Sequence, residues 1–314
     1  MGARIQDDSP DVHILMGVKN GATCLPEQLD SLRKQTVASW SLTCSDDGST
    51  DTSVAVIAKF AKSGPQSVNI VRGPCSGFAK NYLSMIRSVR ELPDFLAFAD
   101  QDDIWFSDKL ERAILALSAI SPTTPALYCA RRWVWNPEVG CASLDGPAQC
   151  KPSFRNALIE NIAPGNTIVL NTAAVRLVHA AAHRVDDVFA HDWWMYQLIS
   201  GVDGNVIFDP EPCLFYRQHG ENAIGSGHGW QAQVARKIAV LRGAYIDRLS
   251  ANILALQQCR DVLAPVNVDV LEDFETARQS QGLARIVRMA RLQPNRQSKF
   301  STVSFWGALL LGKI

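Results

Sequence analysis

Phe95-Leu96-Ala97-Phe98-Ala99-Asp100-Gln101-Asp102-Asp103 passes from five apolar residues directly into a loop with three carboxylates. The apolar run reads as a buried strand, and the acidic residues as the loop beyond its carboxyl end. Ser107 then offers an N-cap to a helix carrying Leu110, Ile114 and Leu117 at helical spacing. The same strand, loop and helix succession precedes it three times. Residues 12–18 are apolar and branched, turn at Asn20-Gly21, and continue into Leu25, Leu29 and Leu32. Residues 40–45 lead through the loop 46–52 to Val54, Ile57, Ala58 and Ala61. Residues 68–71 lead through Gly73-Pro74-Cys75-Ser76-Gly77 to Tyr82, Met85, Ile86 and Val89. Four such units predict an α/β fold with a doubly wound, mostly parallel sheet, whose ligands bind beyond the carboxyl ends of the strands.

Past Pro125 the pattern is less regular. A strand is expected over 126–134, a short helix over 154–162 and another strand over 167–170, while residues 231–291 are helical in character with a break near Pro265. The chain has 314 residues, 47% of them hydrophobic, enough for one large α/β domain and a smaller appendage. Its 31 basic and 31 acidic residues balance, so no global charge marks a nucleic-acid partner. Eight cysteines stand singly, without metal-finger spacing, as expected of reduced thiols in a cytoplasmic protein. Residues 1–11 are polar and acidic, unlike a secretory signal. The longest apolar run, 303–311, is interrupted by Ser304 and Gly307 and falls short of the roughly 20 residues of a membrane span.

Two acidic loops carry the chemistry. Asp46-Asp47-Gly48-Ser49-Thr50-Asp51 is either an ordinary turn with a helix cap or half of a ligand site, because Asp, Gly and Ser serve both. Asp100-Gln101-Asp102-Asp103 tips the balance: carboxylates this dense repel one another unless a cation or proton neutralises them. Hard oxygen ligands suit Mg2+ or Mn2+ completed by diphosphate oxygens, with Asp102 or Asp103 as direct ligand; a solvated acidic loop is the alternative. Ser76 to Asn81 opens a helix, so its amides and Lys80 either face an anion or simply start the helix.

Taken together these residues resemble the inverting family 2 glycosyltransferases of GT-A fold, in particular their rhamnosyltransferase-like branch. The ordered segments are Met16-Gly17-Val18-Lys19-Asn20-Gly21 running on to Glu27-Gln28-Leu29-Asp30-Ser31-Leu32, the loop Ser45 to Asp51, Ala99-Asp100-Gln101-Asp102-Asp103-Ile104-Trp105, His191-Asp192-Trp193-Trp194, and Tyr216-Arg217-Gln218-His219-Gly220-Glu221-Asn222. The resemblance implies a nucleotide-sugar set of Val18, Asn20, Asp46, Asp47, Lys80, Asp100 and Asp102, with Asp47 on the base. It implies a divalent metal on Asp102 and Asp103, with His219 either a further ligand or a structural histidine, and Asp192 as catalytic base. Trp193 and Trp194 are expected to divide, one ring toward the acceptor and one into the core, since adjacent helix positions point about 100° apart. Lys19 departs from the pattern, which often has an aromatic there.

The implied organisation is a short flexible N-terminus (1–11), a GT-A domain (12–228) with a nucleotide-sugar half (12–125) and an acceptor half (126–228), and a helical C-terminal extension (229–314). The implied reaction transfers a sugar, rhamnose from its deoxythymidine-diphosphate donor as first choice, to a glycan or lipid-linked acceptor of cell-surface polysaccharide. Other metal-dependent phosphoryl or nucleotidyl transfer fits poorly, because Val18-Lys19-Asn20-Gly21 is neither an acidic pair nor a Gly-rich basic loop. A non-catalytic nucleotide-sugar-binding module would need no Asp192. After Glu275 the chain has basic and aromatic residues but no acidic one, which fits either peripheral contact of 276–314 with the inner face of the membrane or a solvated helix packed on the catalytic domain.

Overall fold

The computed structural model describes residues 10–137, 140–146, 150–218 and 244–314. The first half follows the predicted alternation: β1 (Val12–Val18), α1 (Leu25–Arg33), β2 (Trp40–Asp46), α2 (Ser53–Ala61), β3 (Val68–Arg72), α3 (Phe78–Ser88) and β4 (Phe95–Asp100). β1 buries side chains on both faces, as a central parallel strand covered by helices must. It pairs in parallel with β2 and β4, aligning Gly17 with both Ser45 and Asp100, so the loops after these strands leave from one edge. In α2 only Ser53 and Ile57 are fully buried, and Val54 faces solvent rather than the core. α4 (Lys109–Ser118) starts one residue later than expected, with Asp108 rather than Ser107 at its N-cap.

Strand order among the described residues is β3-β2-β1-β4, then β8 (Val169–Asn171), β6 (Ala126–Asn136), β9 (Asn205–Arg217) and β5 (Ile104–Trp105). The sheet is parallel through β4 and turns antiparallel at β8, which lies between β4 and β6. The short β7 (Cys141–Leu144) hangs on β6, and α5 (Phe154–Ala157) is much shorter than the helix expected over 154–162. Two further helices, α6 (Thr172–Ala182) and α7 (His191–Gly201), lead into β9 (Asn205–Arg217), which runs parallel to β6. A two-residue β5 (Ile104–Trp105) pairs with the end of β9, so the chain leaving the acidic loop is stitched beside Phe215 and Leu214.

Every residue of α7 except Asp192 is buried. A helix apolar all round belongs inside a protein, and α7 is enclosed by α3, α5, α6, β9 and the first C-terminal helix. The C-terminal helices are α8 (Ala244–Gln258), α9 (Pro265–Gln279), α10 (Gly282–Leu292) and α11 (Lys299–Leu310). They are part of the same core as α7: Leu249, Phe274, Met289, Phe305 and Leu309 join the cluster containing Trp194 and Leu198. Hydrogen bonds from Asn156 to the Asn295 carbonyl (2.8 Å) and from the Gln297 amide to Glu160 (2.6 Å) fasten the α10–α11 connection to the domain. All eight cysteines are free thiols.

Candidate active site

Three loops at the carboxyl edge hold one another. Asn20 adopts φ 50° and its side-chain oxygen accepts the Thr50 amide (2.8 Å), while its own amide donates to Ser49 Oγ (2.9 Å). Gly48, at φ 92°, supplies the left-handed turn that lets loop 46–53 fold back to make these bonds. Gln101 clasps Lys19 at two points: it accepts the Lys19 amide (2.8 Å) and donates to the Lys19 carbonyl (2.9 Å). The side chain of Val18 is buried, and this residue presents only its carbonyl, which accepts the Asp47 amide (2.8 Å). Asp46 turns its carboxylate onto the Ser49 amide.

Asp47 is buried, and one carboxylate oxygen accepts the Gly77 amide at the start of α3 (3.0 Å). The positive end of that helix is therefore already neutralised by the chain itself. The other oxygen, Oδ1, accepts no hydrogen bond among the described residues. Lys80 pairs with Asp187 at 3.3 Å on the surface, so the anion-facing reading of this lysine is not the arrangement found.

Asp100 stands at the end of β4 with Tyr82 Oη 3.1 Å away; the same hydroxyl lies 2.6 Å from the Ala99 carbonyl. Burial, then Asp102 and Asp192, push the Asp100 carboxyl up to about 7, and Arg132 opposes them. Asp102, Asp192 and Arg132 thus all act on Asp100. Arg132, on β6, lies over the Tyr216 ring (4.6 Å) and donates to Asp145 (3.2 Å).

Asp103 departs from expectation. It is fully buried, its carboxylate accepts Asn166 Nδ2 (2.7 Å), and burial followed by Asp100 and Asp102 holds its proton affinity well above the ordinary carboxylate range. Beneath it Lys109, also fully buried, donates to the Asn166 carbonyl (2.5 Å) and lies 3.0 Å from the centre of the Trp105 ring. Asp103 thus bonds inward through one carboxylate oxygen, while its neighbour Asp102 is 9% exposed. His219 lies outside the described residues.

Asp192 opens α7. Its carboxylate accepts the amides of Gly165 (3.1 Å) and Trp193 (2.7 Å), which orient it without neutralising it. The two tryptophans do not divide: Trp193 is 6% exposed with its indole N–H on the Ala157 carbonyl (2.7 Å), and Trp194 is 0% exposed. The enclosure of α7 on all sides is the reason, and neither ring is available to an acceptor in this arrangement.

His191 stacks on Tyr82 (ring centres 3.9 Å apart), and neither ring nitrogen has a hydrogen-bond partner among the described residues. Gly165 keeps this packing close, since a Cβ there would stand 2.9 Å from His191 Nε2. Burial lowers the His191 pKa to about 4. The unfolded chain titrates near 6.5, so this histidine contributes its full stability above about pH 6.5 and loses it as pH falls toward 4. The loss across that window is about 3 kcal/mol. In urea unfolding followed at pH 7 and pH 5, His191→Phe is expected to flatten the acid decline; an unchanged slope would assign the decline to other groups.

Sequence reasoning gave no site role to Tyr82, Arg132, Asn166, Lys109 or His191. A pointer was present for one: Arg131-Arg132 interrupts an otherwise apolar strand, where charges persist only when paired.

The family model described as Glycosyl transferase family 2 matches residues 13–134, which contain both acidic loops. Over that stretch the chain is similar to family 2 glycosyltransferases. It is 29% identical to dTDP-rhamnosyl transferase RfbG of Shigella flexneri, over 70% of this chain and 77% of that one. It is 32% identical to the UDP-Glc:alpha-D-GlcNAc-diphosphoundecaprenol beta-1,3-glucosyltransferase WfgD of Escherichia coli, over 33% of this chain and 39% of the relative. Among solved structures, mannosyltransferase PcManGT from Pyrobaculum calidifontis, in complex with GDP-Man and Mn2+, superposes with TM-score 0.53 at 17% identity, covering 98% of this chain and 88% of that one. S. aureus TarS 1-349 in complex with UDP-GlcNAc also gives 0.53, at 12% identity, covering 90% and 79%. These likenesses show the GT-A fold, and together with the family-model match and the rhamnosyl transferase relative they support a glycosyltransferase.

Proposed function

We propose that this glycosyltransferase moves rhamnose from a deoxythymidine-diphosphate donor to a hydroxyl of a glycan or lipid-linked acceptor, with inversion at the anomeric carbon. The observation that carries the reading is that Tyr82, whose hydroxyl lies 3.1 Å from Asp100, stacks on His191, the residue before Asp192, so the end of β4 meets the start of α7. Asp192 takes the acceptor proton, the hydroxyl oxygen forms the new bond to the anomeric carbon, and the nucleoside diphosphate departs with the old bonding pair. The logic parallels inverting glycoside hydrolysis, with a sugar hydroxyl in place of water.

No group of three or more His, Cys, Asp or Glu is poised to cage a metal among the described residues. The donor set instead fits a cation shared with a diphosphate: Asp102 at the rim, with Asp100 beside it, and the remaining ligands from phosphate and water. Such a cation, Mg2+ or Mn2+, would supply charge neutralisation at the departing diphosphate. Arg132 adds a fixed positive charge facing Asp100, and Asp47 is assigned to the nucleotide base. Residues 12–125 form the donor half, 126–228 the acceptor half and 229–314 the extension.

The choice of donor rests on the RfbG relative, which is named for a dTDP-rhamnosyl donor. A thermal-shift screen of nucleotide sugars with Mn2+ tests it, because a ligand at 100 times its Kd stabilises by about 2.7 kcal/mol. Deoxythymidine-diphosphate rhamnose is expected to give the largest rise in Tm. A larger rise with a uridine-diphosphate hexose would replace the donor and leave the chemistry standing.

A further inference from the structure

The surface of the last two helices combines features that the catalytic reading does not use. On α10, Leu283 (74% exposed), Val287 and Ala290 face solvent at spacings of four and three residues, forming one stripe. Arg288 and Arg291, both exposed, flank it, while Met289 and Leu292 point into the core. α11 repeats the arrangement. Phe305, Ala308 and Leu309 are buried, and Val303 (69%), Leu310 (66%) and Leu311 (65%) are exposed. A Cβ on Gly312 would stand 3.1 Å from Arg285 Nη1, so the end of α11 returns to the beginning of α10. The outward leucines of both helices therefore gather at one end of a hairpin.

Single exposed leucines are ordinary, but an apolar stripe continued across two helices is not. From residue 276 to the end there are seven Lys and Arg and no Asp or Glu, and Arg288 and Arg291 are the exposed charges beside the stripe; the acidic Glu272 and Asp273 belong to α9. Apolar side chains bordered by guanidinium groups match the boundary layer of an anionic bilayer, where chains meet acyl carbon and arginines meet lipid phosphate. No helix among the described residues is long and apolar enough to cross a membrane, so such a hairpin would lie in the plane of the surface. We propose that the α10–α11 hairpin is a docking surface for an anionic lipid bilayer.

The proposal rests on this surface alone and stands or falls apart from the donor and base assignments. The test is flotation of the full chain with phosphatidylcholine vesicles, with and without phosphatidylglycerol. Expected is binding to the anionic vesicles alone, released by high salt, and weakened at least ~10-fold by Arg288→Glu with Arg291→Glu. Leu283→Ser with Leu310→Ser should weaken it as well, and since all four side chains are exposed, unchanged thermal unfolding checks the fold of each variant. Failure of the unaltered chain to float with anionic vesicles overturns the proposal, as does flotation of the arginine variant at the original level. Self-association that the leucine variant abolishes, without vesicle binding, overturns it in favour of a second copy of the chain. Asp192→Asn protein should float normally, which separates this outcome from any failure of the catalytic reading.

Discussion

Asp192→Asn is expected to lower the rate of sugar transfer by about 10²–10⁴-fold, the range contributed by a general base, while donor affinity stays within about threefold of the original. The substitution is close to isosteric, and the reasoning depends on that. The carboxylate accepts two backbone amides, from Gly165 and Trp193, and the carboxamide keeps one acceptor oxygen for them. One amide loses its partner, at a cost of about 1 kcal/mol in stability, too little to unfold the domain. Removed entirely is the ability to take a proton. Transfer and donor titrations measured on the same preparation decide the matter: kcat near the original value would take Asp192 out of the mechanism, and a donor Kd raised as much as kcat falls would make it a binding residue.

Asp102→Asn should act at the other end of the reaction. Asp102 and Asp103 are adjacent, yet only Asp102 reaches the rim, and the two substitutions are expected to separate cleanly. Loss of the Asp102 charge should raise the Mn2+ concentration for half-maximal activity about tenfold or more and lower kcat by about 10²-fold, as expected when a fixed charge at the leaving group is removed. Asp103→Asn should show itself first in unfolding, as a fall of several degrees in Tm, because it disturbs a buried hydrogen bond to Asn166 beside a buried lysine. Metal titration and thermal unfolding of both proteins provide the comparison. A metal dependence altered by Asp103→Asn and untouched by Asp102→Asn would reverse the assignment.

The four opening βα units were legible because short strands, apolar in β1 and β4 and mixed with polar residues in β2 and β3, each end in loop residues before a helical stripe. The second acidic loop was legible because three carboxylates within four residues repel one another unless neutralised, whereas the first, 46–51, could equally have been a turn. What lay beyond Pro125 was harder. β8 is only three residues long, β5 only two, and both are defined by partners far along the chain rather than by a local pattern. The misreading of Trp193 and Trp194 followed from treating α7 as a surface helix with one wet face, when tertiary packing encloses it. Lys109 shows the limit of composition most directly. A lysine in the first turn of a helix reads as a solvated charge, and nothing nearby in the sequence announces Asn166 and Trp105, which close over it.

The clasp that Gln101 places on both backbone groups of Lys19 has a thermodynamic consequence. A loop already held at its amide and its carbonyl has little freedom left to surrender when a ligand arrives, and ordering costs of that kind are what commonly erode affinity. The Lys19 segment beside the second acidic loop is thus already held, and its share of the ordering cost on binding should be small.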